Sequence, residues 1–327
     1  MVPKLLRRGI SALAVLSMFA APSAAAGGQF TTFRVADATN TFATAINAGG
    51  SVTGYFVDGC GPSHGFVRDA GGKKVTFDPE GSTGTWAWAI NRDGVVAGYY
   101  DDDGVHGFVR DARGRITTFD PKGSAVTEPY CVNDSGGVAG FYHDRRNVPH
   151  GFVRAADGTI ATFDPARSTG TEVYGLNAGG EVTGYYADAN GVDHGFTRTA
   201  DGTVTTFDVT GATETWPYAI NANGTIAGYY SDGSMTHGFL RSSDGTVTTF
   251  DPEGSTETEV FGINKAAAVT GFWYDGTNTH GFVRSIDGTI RSFDAPKSAD
   301  TQPYSINDRG AVAGWYGAGF KSFIRTP

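Results

Sequence analysis

The stretch Trp216–Ser255 reads WPYAINANGTIAGYYSDGSMTHGFLRSSDGTVTTFDPEGS, and its reading decides the fold. Trp216–Asn221 alternates as a strand does, with Tyr218 and Ile220 on one face and Ala219 and Asn221 on the other. Asn221-Ala222-Asn223-Gly224 is a turn built from residues that tolerate positive φ. Thr225–Tyr230 is a second strand, and a polar turn follows it. His237–Arg241 is a third strand and Thr246–Asp251 a fourth. Four short strands joined by hairpin turns within about 43 residues match the size of a propeller blade.

This unit repeats along the chain. His-Gly-Phe recurs at His64, His106, His150, His194, His237 and His280, and a worn copy stands at Lys321-Ser322-Phe323. A glycine sits inside every second strand, at Gly54, Gly98, Gly140, Gly184, Gly228, Gly271 and Gly314. Glycine weakens a strand, so its recurrence implies close approach of another backbone or a large ring, which blades stacked face to face supply. The Ile-Asn strands are expected innermost, and the Thr-Thr-Phe strands outermost.

The ends fit a ring. A lone fourth-type strand, Phe30–Arg34, comes first, and the chain stops after a third-type strand, Lys321–Arg325. Pairing the two completes one blade and removes bare sheet edges. The sequence therefore predicts an all-β fold, a seven-bladed propeller of four-stranded antiparallel blades, over residues 27–327 as a single domain.

Residues 1–26 read as a secretory signal peptide. Lys4, Arg7 and Arg8 precede an apolar run from Ile10 to Ala21, and Ala24-Ala25-Ala26 supplies a cleavage site. Its removal takes the formal charge from -9 to -12, because three positive charges leave with it. So acidic a chain has no electrostatic footprint for nucleic acid or anionic lipid. No other run is long and apolar enough to span a membrane, so no membrane insertion is expected. The expectation is a secreted or periplasmic monomer. Cys131 fills a slot given elsewhere to Ala45, Ala89, Gly175, Ala219, Gly262 and Ser305, and reads as a buried thiol rather than a disulfide partner of Cys60.

The recurring Gly/Ala-Ile-Asn-x-x-Gly-x-Val/Ile-x-Gly-Tyr-Tyr, followed by Asp-x-x-Gly-x-x-His-Gly-Phe, resembles the bacterial extracellular HAF-repeat family over nearly all of residues 27–327. Glycine stands here where the family name has alanine. The resemblance implies export and a propeller-like repeat, and supplies no catalytic residues.

The repeated histidines read as structural, each bonding a neighbouring backbone group, with a ring of ligands as the alternative. Turn aspartates at Asp58, Asp102, Asp144, Asp188, Asp232 and Asp275 read as turn caps. No cofactor is expected, although Asp101-Asp102-Asp103-Gly104 offers clustered oxygens that calcium favours.

Positions that break the symmetry are the candidate binding residues. Trp86 and Trp216 stand where other copies are aligned with Ala43, Glu128, Glu172, Glu259 or Gln302, so packing does not demand an indole there. The turn His143-Asp144-Arg145-Arg146-Asn147 is expected beside Asp101, Asp102 and Asp103 of the preceding blade, as an inter-blade ion pairing or a site. His143, Arg145 and Arg146 with those carboxylates can hold an anionic sugar or serve as acid and base. The favoured reading is a binding or scaffold protein for a carbohydrate or an extracellular protein, on the face of the His-Gly-Phe turns. The alternative is a secreted lyase or hydrolase with its site at the axial mouth.

Overall fold

The computed structural model describes residues 28–59 and 61–327, so the signal-peptide reading of 1–26 and the thiol of Cys60 lie outside the described residues. Those residues hold 28 β-strands and no helix. Successive strands form antiparallel meanders of four, such as Glu214–Ile220, Ile226–Ser231, Thr236–Arg241 and Val247–Phe250. In three places among the described residues a meander is tied to its neighbour by one parallel bridge, Val126 to Val105, Thr236 to Glu257 and Thr279 to Asp300. One sheet joins the two ends of the described chain. Gln29–Phe33 pairs antiparallel with Lys321–Thr326, Thr31 opposite Ile324, and Val312–Tyr316 and Thr301–Ile306 complete that sheet.

The inner strands do not alternate strictly, which corrects the reading of Trp216–Asn221. A register shift between Pro217 and Ala219 inserts one extra residue, so Pro217 and Tyr218 are both buried. The same bulge recurs in each inner strand, for instance between Ala43 and Ala45 and between Ala87 and Ala89. It also explains the mid-strand glycines. A Cβ on Gly228 would lie 2.2 Å from the Trp216 carbonyl oxygen, and one on Gly54 would lie 1.9 Å from that of Phe42. The crowding backbone thus belongs to the paired strand of the same sheet, at its bulge, and not to a neighbouring sheet face.

Each third strand supplies one phenylalanine to the interior. Phe66, Phe108, Phe152, Phe196, Phe239, Phe282 and Phe323 are all fully buried. In six of these strands a glycine before it leaves room for the outer-strand ring: a Cβ on Gly238 would meet Phe250 at 2.7 Å, while Ser322 stands before Phe323.

Two further repeated contacts join meander to meander. The arginine ending each third strand lies over the outer-strand phenylalanine of the preceding meander, as Arg241 does over Phe207 at 4.6 Å. Arg68 lies over Phe33 in this way, so the first full meander rests on the strand paired with Lys321–Thr326. Deeper inside, Asn47 Nδ2 donates to the Asn91 carbonyl at 3.0 Å, and Asn91 donates to Asn133. The chain of bonds runs on through Asn177, Asn221, Asn264 and Asn307, whose Nδ2 donates to the Asn47 carbonyl at 3.0 Å. Each Asn Oδ1 meanwhile accepts from its own turn, as Asn221 does from the backbone N–H groups of Asn223 and Thr225.

Cys131 is free and buried, as expected, and its thiol donates to the Tyr174 carbonyl at 2.8 Å.

Candidate ligand site at the inner-strand ends

Each inner strand carries a fully buried threonine near its start, such as Thr85 or Thr215, and at the residue after it the copies differ in chemistry. Register fixes this slot as Phe42, Trp86, Glu128, Glu172, Trp216, Glu259 and Gln302, because Phe42 pairs with Tyr55 as Trp86 pairs with Tyr99. Phe42, and not Ala43, is therefore the equivalent of the two tryptophans.

Beneath the slot runs a continuous belt of aromatic rings. Phe42 stacks on Tyr55, and contacts continue through Trp88, Tyr130 and Tyr174 to Tyr218. From Tyr218 they pass by Phe261, Tyr304 and Trp315 back to Phe42, with Tyr304 and Trp315 stacked at 4.0 Å. Six of its rings, Trp88, Tyr130, Tyr174, Tyr218, Phe261 and Tyr304, are the extra residues of the inner-strand bulges, and Phe42, Tyr55 and Trp315 close the belt where the first bulge has Thr44 instead.

The two indoles sit on this belt, half-buried. Trp86 stacks on Tyr99 with centroids 5.4 Å apart. Trp216 packs on Tyr229 at 5.2 Å, and its Nε1 donates to Asp193 Oδ2 at 2.9 Å. Between them in chain order come Glu128 and Glu172. Tyr174 and Tyr185 donate their hydroxyls to Glu172 Oε2 at 2.7 and 2.6 Å. Glu128 is buried, and Tyr130 donates to its Oε2 at 3.3 Å. Burial pushes the Glu128 carboxyl up to about 7, the Tyr130 hydrogen bond opposes the shift, and the charge of Glu172 adds to it. No lysine or arginine occurs in any inner or second strand. The slot thus offers flat aromatic faces and hydrogen-bond acceptors, with no fixed cation.

The turn pairing expected from the sequence does not form. Ser124–Val132 begins between the two turns, with Ser124 opposite Asp144, Val126 opposite His143, and Val126 bridging to Val105. Arg146 Nε instead lies 3.7 Å from Asp144 of its own turn, and Arg145 is exposed. Asp102 lies 3.2 Å from His106 Nε2, with Asp103 nearby, while Asp101 ends a strand opposite Gly84. Among the described residues no ion pair joins Arg145 or Arg146 to Asp101, Asp102 or Asp103. Asp102, Asp103 and His106 do converge, with ligand atoms within 4.8 Å, as a surface group. His143 lies edge-on to Phe141 at 5.8 Å, and its Nδ1 is buried with no partner.

The repeated histidines bond carboxylates rather than backbone. Each Nδ1 meets the aspartate that follows the outer strand, as in His106 to Asp120 and His237 to Asp251, both at 2.7 Å. Each Nε2 faces the turn aspartate, for example Asp232 at 3.4 Å from His237. The turn aspartates also cap their turns: Asp188 Oδ1 accepts from the backbone N–H groups of Asn190 and Val192. Sequence reasoning missed the outer-strand aspartates, the arginine–phenylalanine stacks and the asparagine chain. Their signal was present, because an aspartate follows every His-Gly-Phe histidine at an offset of 14 residues.

No family model matches the chain, and no curated protein does. Solved structures do. A streptogramin B lyase structure superposes with a TM-score of 0.61 at 14% identity, covering 91% of this chain and 97% of that one. Virginiamycin B lyase from Staphylococcus aureus gives 0.60 at 13%, covering 92% and 100%. The β-propeller domain of the Trilobed protease from Pyrococcus furiosus gives 0.62 at 11%, covering 88% and 94%. At such identities the likeness extends to the fold alone: this chain is an all-β protein of the β-propeller fold.

Proposed function

We propose that the protein is an exported, seven-bladed β-propeller that binds a carbohydrate at the mouth of its axis. Closure of the ring is supported by the pairing of Gln29–Phe33 with Lys321–Thr326 and by the asparagine chain that returns to Asn47. Export rests on residues 1–26 and on the resemblance of the repeats to the HAF type. The observation that carries the binding reading is the slot itself. It is an inner-strand position where the copies switch between aromatic and carboxylate side chains, and it places Trp86 and Trp216 on either side of Glu128 and Glu172 in chain order.

Indole faces suit the apolar face of a pyranose ring, and carboxylates accept from its hydroxyls. With acceptors and no lysine or arginine at the slot, the ligand must bring the donors. Neutral and amino sugars fit, and an anionic sugar does not, because its charge would meet Glu128 and Glu172. Calorimetry of the full protein against neutral, amino and uronic oligosaccharides tests this. Trp86→Ala and Trp216→Ala should each weaken binding about ten-fold, as loss of an interface aromatic does. Unchanged affinity in both variants, or a preference for uronic sugars, contradicts the reading. No binding of any sugar, with capture of a surface protein instead, would reassign the ligand.

One observation favours a second reading, a secreted lyase or hydrolase. Glu128, held near neutrality at about 7 beside Glu172, has the character of a general acid or base. Turnover of a bound oligosaccharide that disappears in Glu128→Gln would establish it.

A further inference from the structure

The His-Gly-Phe face carries a device independent of the carbohydrate reading. We infer that His64, His106 and His237 are pH-released latches: each imidazolium ties the turn between second and third strands to the end of the outer strand, and deprotonation frees that turn. The argument is one of donor count. Each ring presents both nitrogens to carboxylates, Nδ1 at 2.7–3.0 Å and Nε2 at 3.2–3.9 Å. A neutral imidazole owns one N–H. When Nδ1–H serves the outer-strand aspartate, the Nε2 lone pair points at the turn aspartate and repels it. Only the imidazolium satisfies both, so the latch holds at low pH and opens as pH rises.

The facing groups are few. His64 faces Asp58 and Asp78, and His106 faces Asp102, Asp103 and Asp120. His150 faces Asp144 and Asp164, and His194 faces Asp188 and Asp208. His237 faces Asp232 and Asp251, and His280 faces Asp275 and Asp294. Each ring also lies against an aromatic of the second strand, as His280 does on Trp273 at 4.5 Å. For His64, His106 and His237, burial favours the neutral form, but the hydrogen bonds and charges of the aspartates outweigh it and hold the imidazole above its ordinary 6.5. A raised value in the folded state means stability that is complete below about 6.5 and is lost as pH climbs through the folded value.

The chain contains its own control. In the sheet that joins the two ends, Lys321 takes the histidine slot and Arg34 the outer aspartate slot, and the turn between them has no carboxylate. Arg34 Nη2 donates to the Gly319 carbonyl at 2.7 Å instead. That turn cannot respond to the same proton.

Hydrogen exchange of the full protein tests the latch, with rates corrected for the intrinsic effect of pH. Between about pH 5.5 and 8, opening of the turns at residues 232–235 and 102–104 should rise roughly five-fold, while 317–320 stays constant. His237→Gln should abolish the pH response at 232–235 and leave it at 102–104. An equal response at 317–320, or a response at 232–235 that survives His237→Gln, overturns the inference. If that variant folds poorly, imidazole nitrogen spectra of the unaltered protein decide the matter: doubly protonated rings at pH 6 support the latch, and neutral ones refute it.

Discussion

Gly228→Ala is expected to leave little folded protein, although it adds only a methyl group. The new Cβ would sit 2.2 Å from the Trp216 carbonyl oxygen and 2.7 Å from the Pro217 Cα. Both are backbone atoms of the bulge, so no side chain can turn aside. Relief requires the inner strand to shift, and that strand carries Tyr218 of the aromatic belt and leads directly into Asn221 of the asparagine chain. Overpacking alone costs about 1–3 kcal/mol, and moving a shared backbone adds to it. A loss of roughly 3–5 kcal/mol is a large share of the 5–15 kcal/mol typical of a folded domain. Gly276→Ala is the control. That glycine has φ +91° but open space around its Cβ, so the change should cost only about 1 kcal/mol. Urea midpoints of the two variants check the contrast, and similar midpoints would show that the bulge yields.

Deleting residues 29–33 should cost as much by a different route. Phe30 packs on Phe293 and Phe323, with centroids 6.0 and 5.6 Å away. Phe33 lies under Arg68 and edge-on to Phe66 at 6.1 Å. Both rings are half-buried, so their loss removes part of the about 3–6 kcal/mol that two fully buried rings would contribute. The deletion also strips the ladder from Lys321–Thr326 and leaves an unpaired edge, which favours association. The expected result is a lower urea midpoint, a less cooperative transition and aggregates on size exclusion. A variant that stays monomeric with an unchanged midpoint would show that these residues do not complete the sheet.

The fold was legible because its repeat is written in residues that recur for one physical reason each. His-Gly-Phe gives the period, the Asn-x-x-Gly turns give the hairpins, and the misplaced strand at residues 30–34 points to its partner. The bulge was not legible. One inserted residue in a strand of seven leaves the apolar pattern plausible, and only pairing to Gly228 exposes it. For the same reason the sequence points to a need for glycine but not to the strand that crowds it. Without register, Ala43 rather than Phe42 aligns with the two tryptophans.

The site was legible in part. Trp86 and Trp216 stood out as departures from the repeat. Glu128 and Glu172 looked like mere alternatives to them, since nothing in a sequence says that tyrosyl hydroxyls converge on those carboxylates. The turns at 101–103 and 143–146 hold equivalent places in adjacent repeats, but equivalence does not reveal that Ser124 and Val126 lie between them.

Circular closure is the claim from which the axis, its mouth and the ligand site all follow. Cross-strand proton contacts between Thr31 and Ile324, measured by nuclear Overhauser effects on the full protein labelled at threonine and isoleucine, test it most directly. Closure predicts a contact between these two residues, with slow amide exchange along Lys321–Thr326. Absence of that contact in the folded protein, or contacts from Thr31 to any other strand, would contradict it.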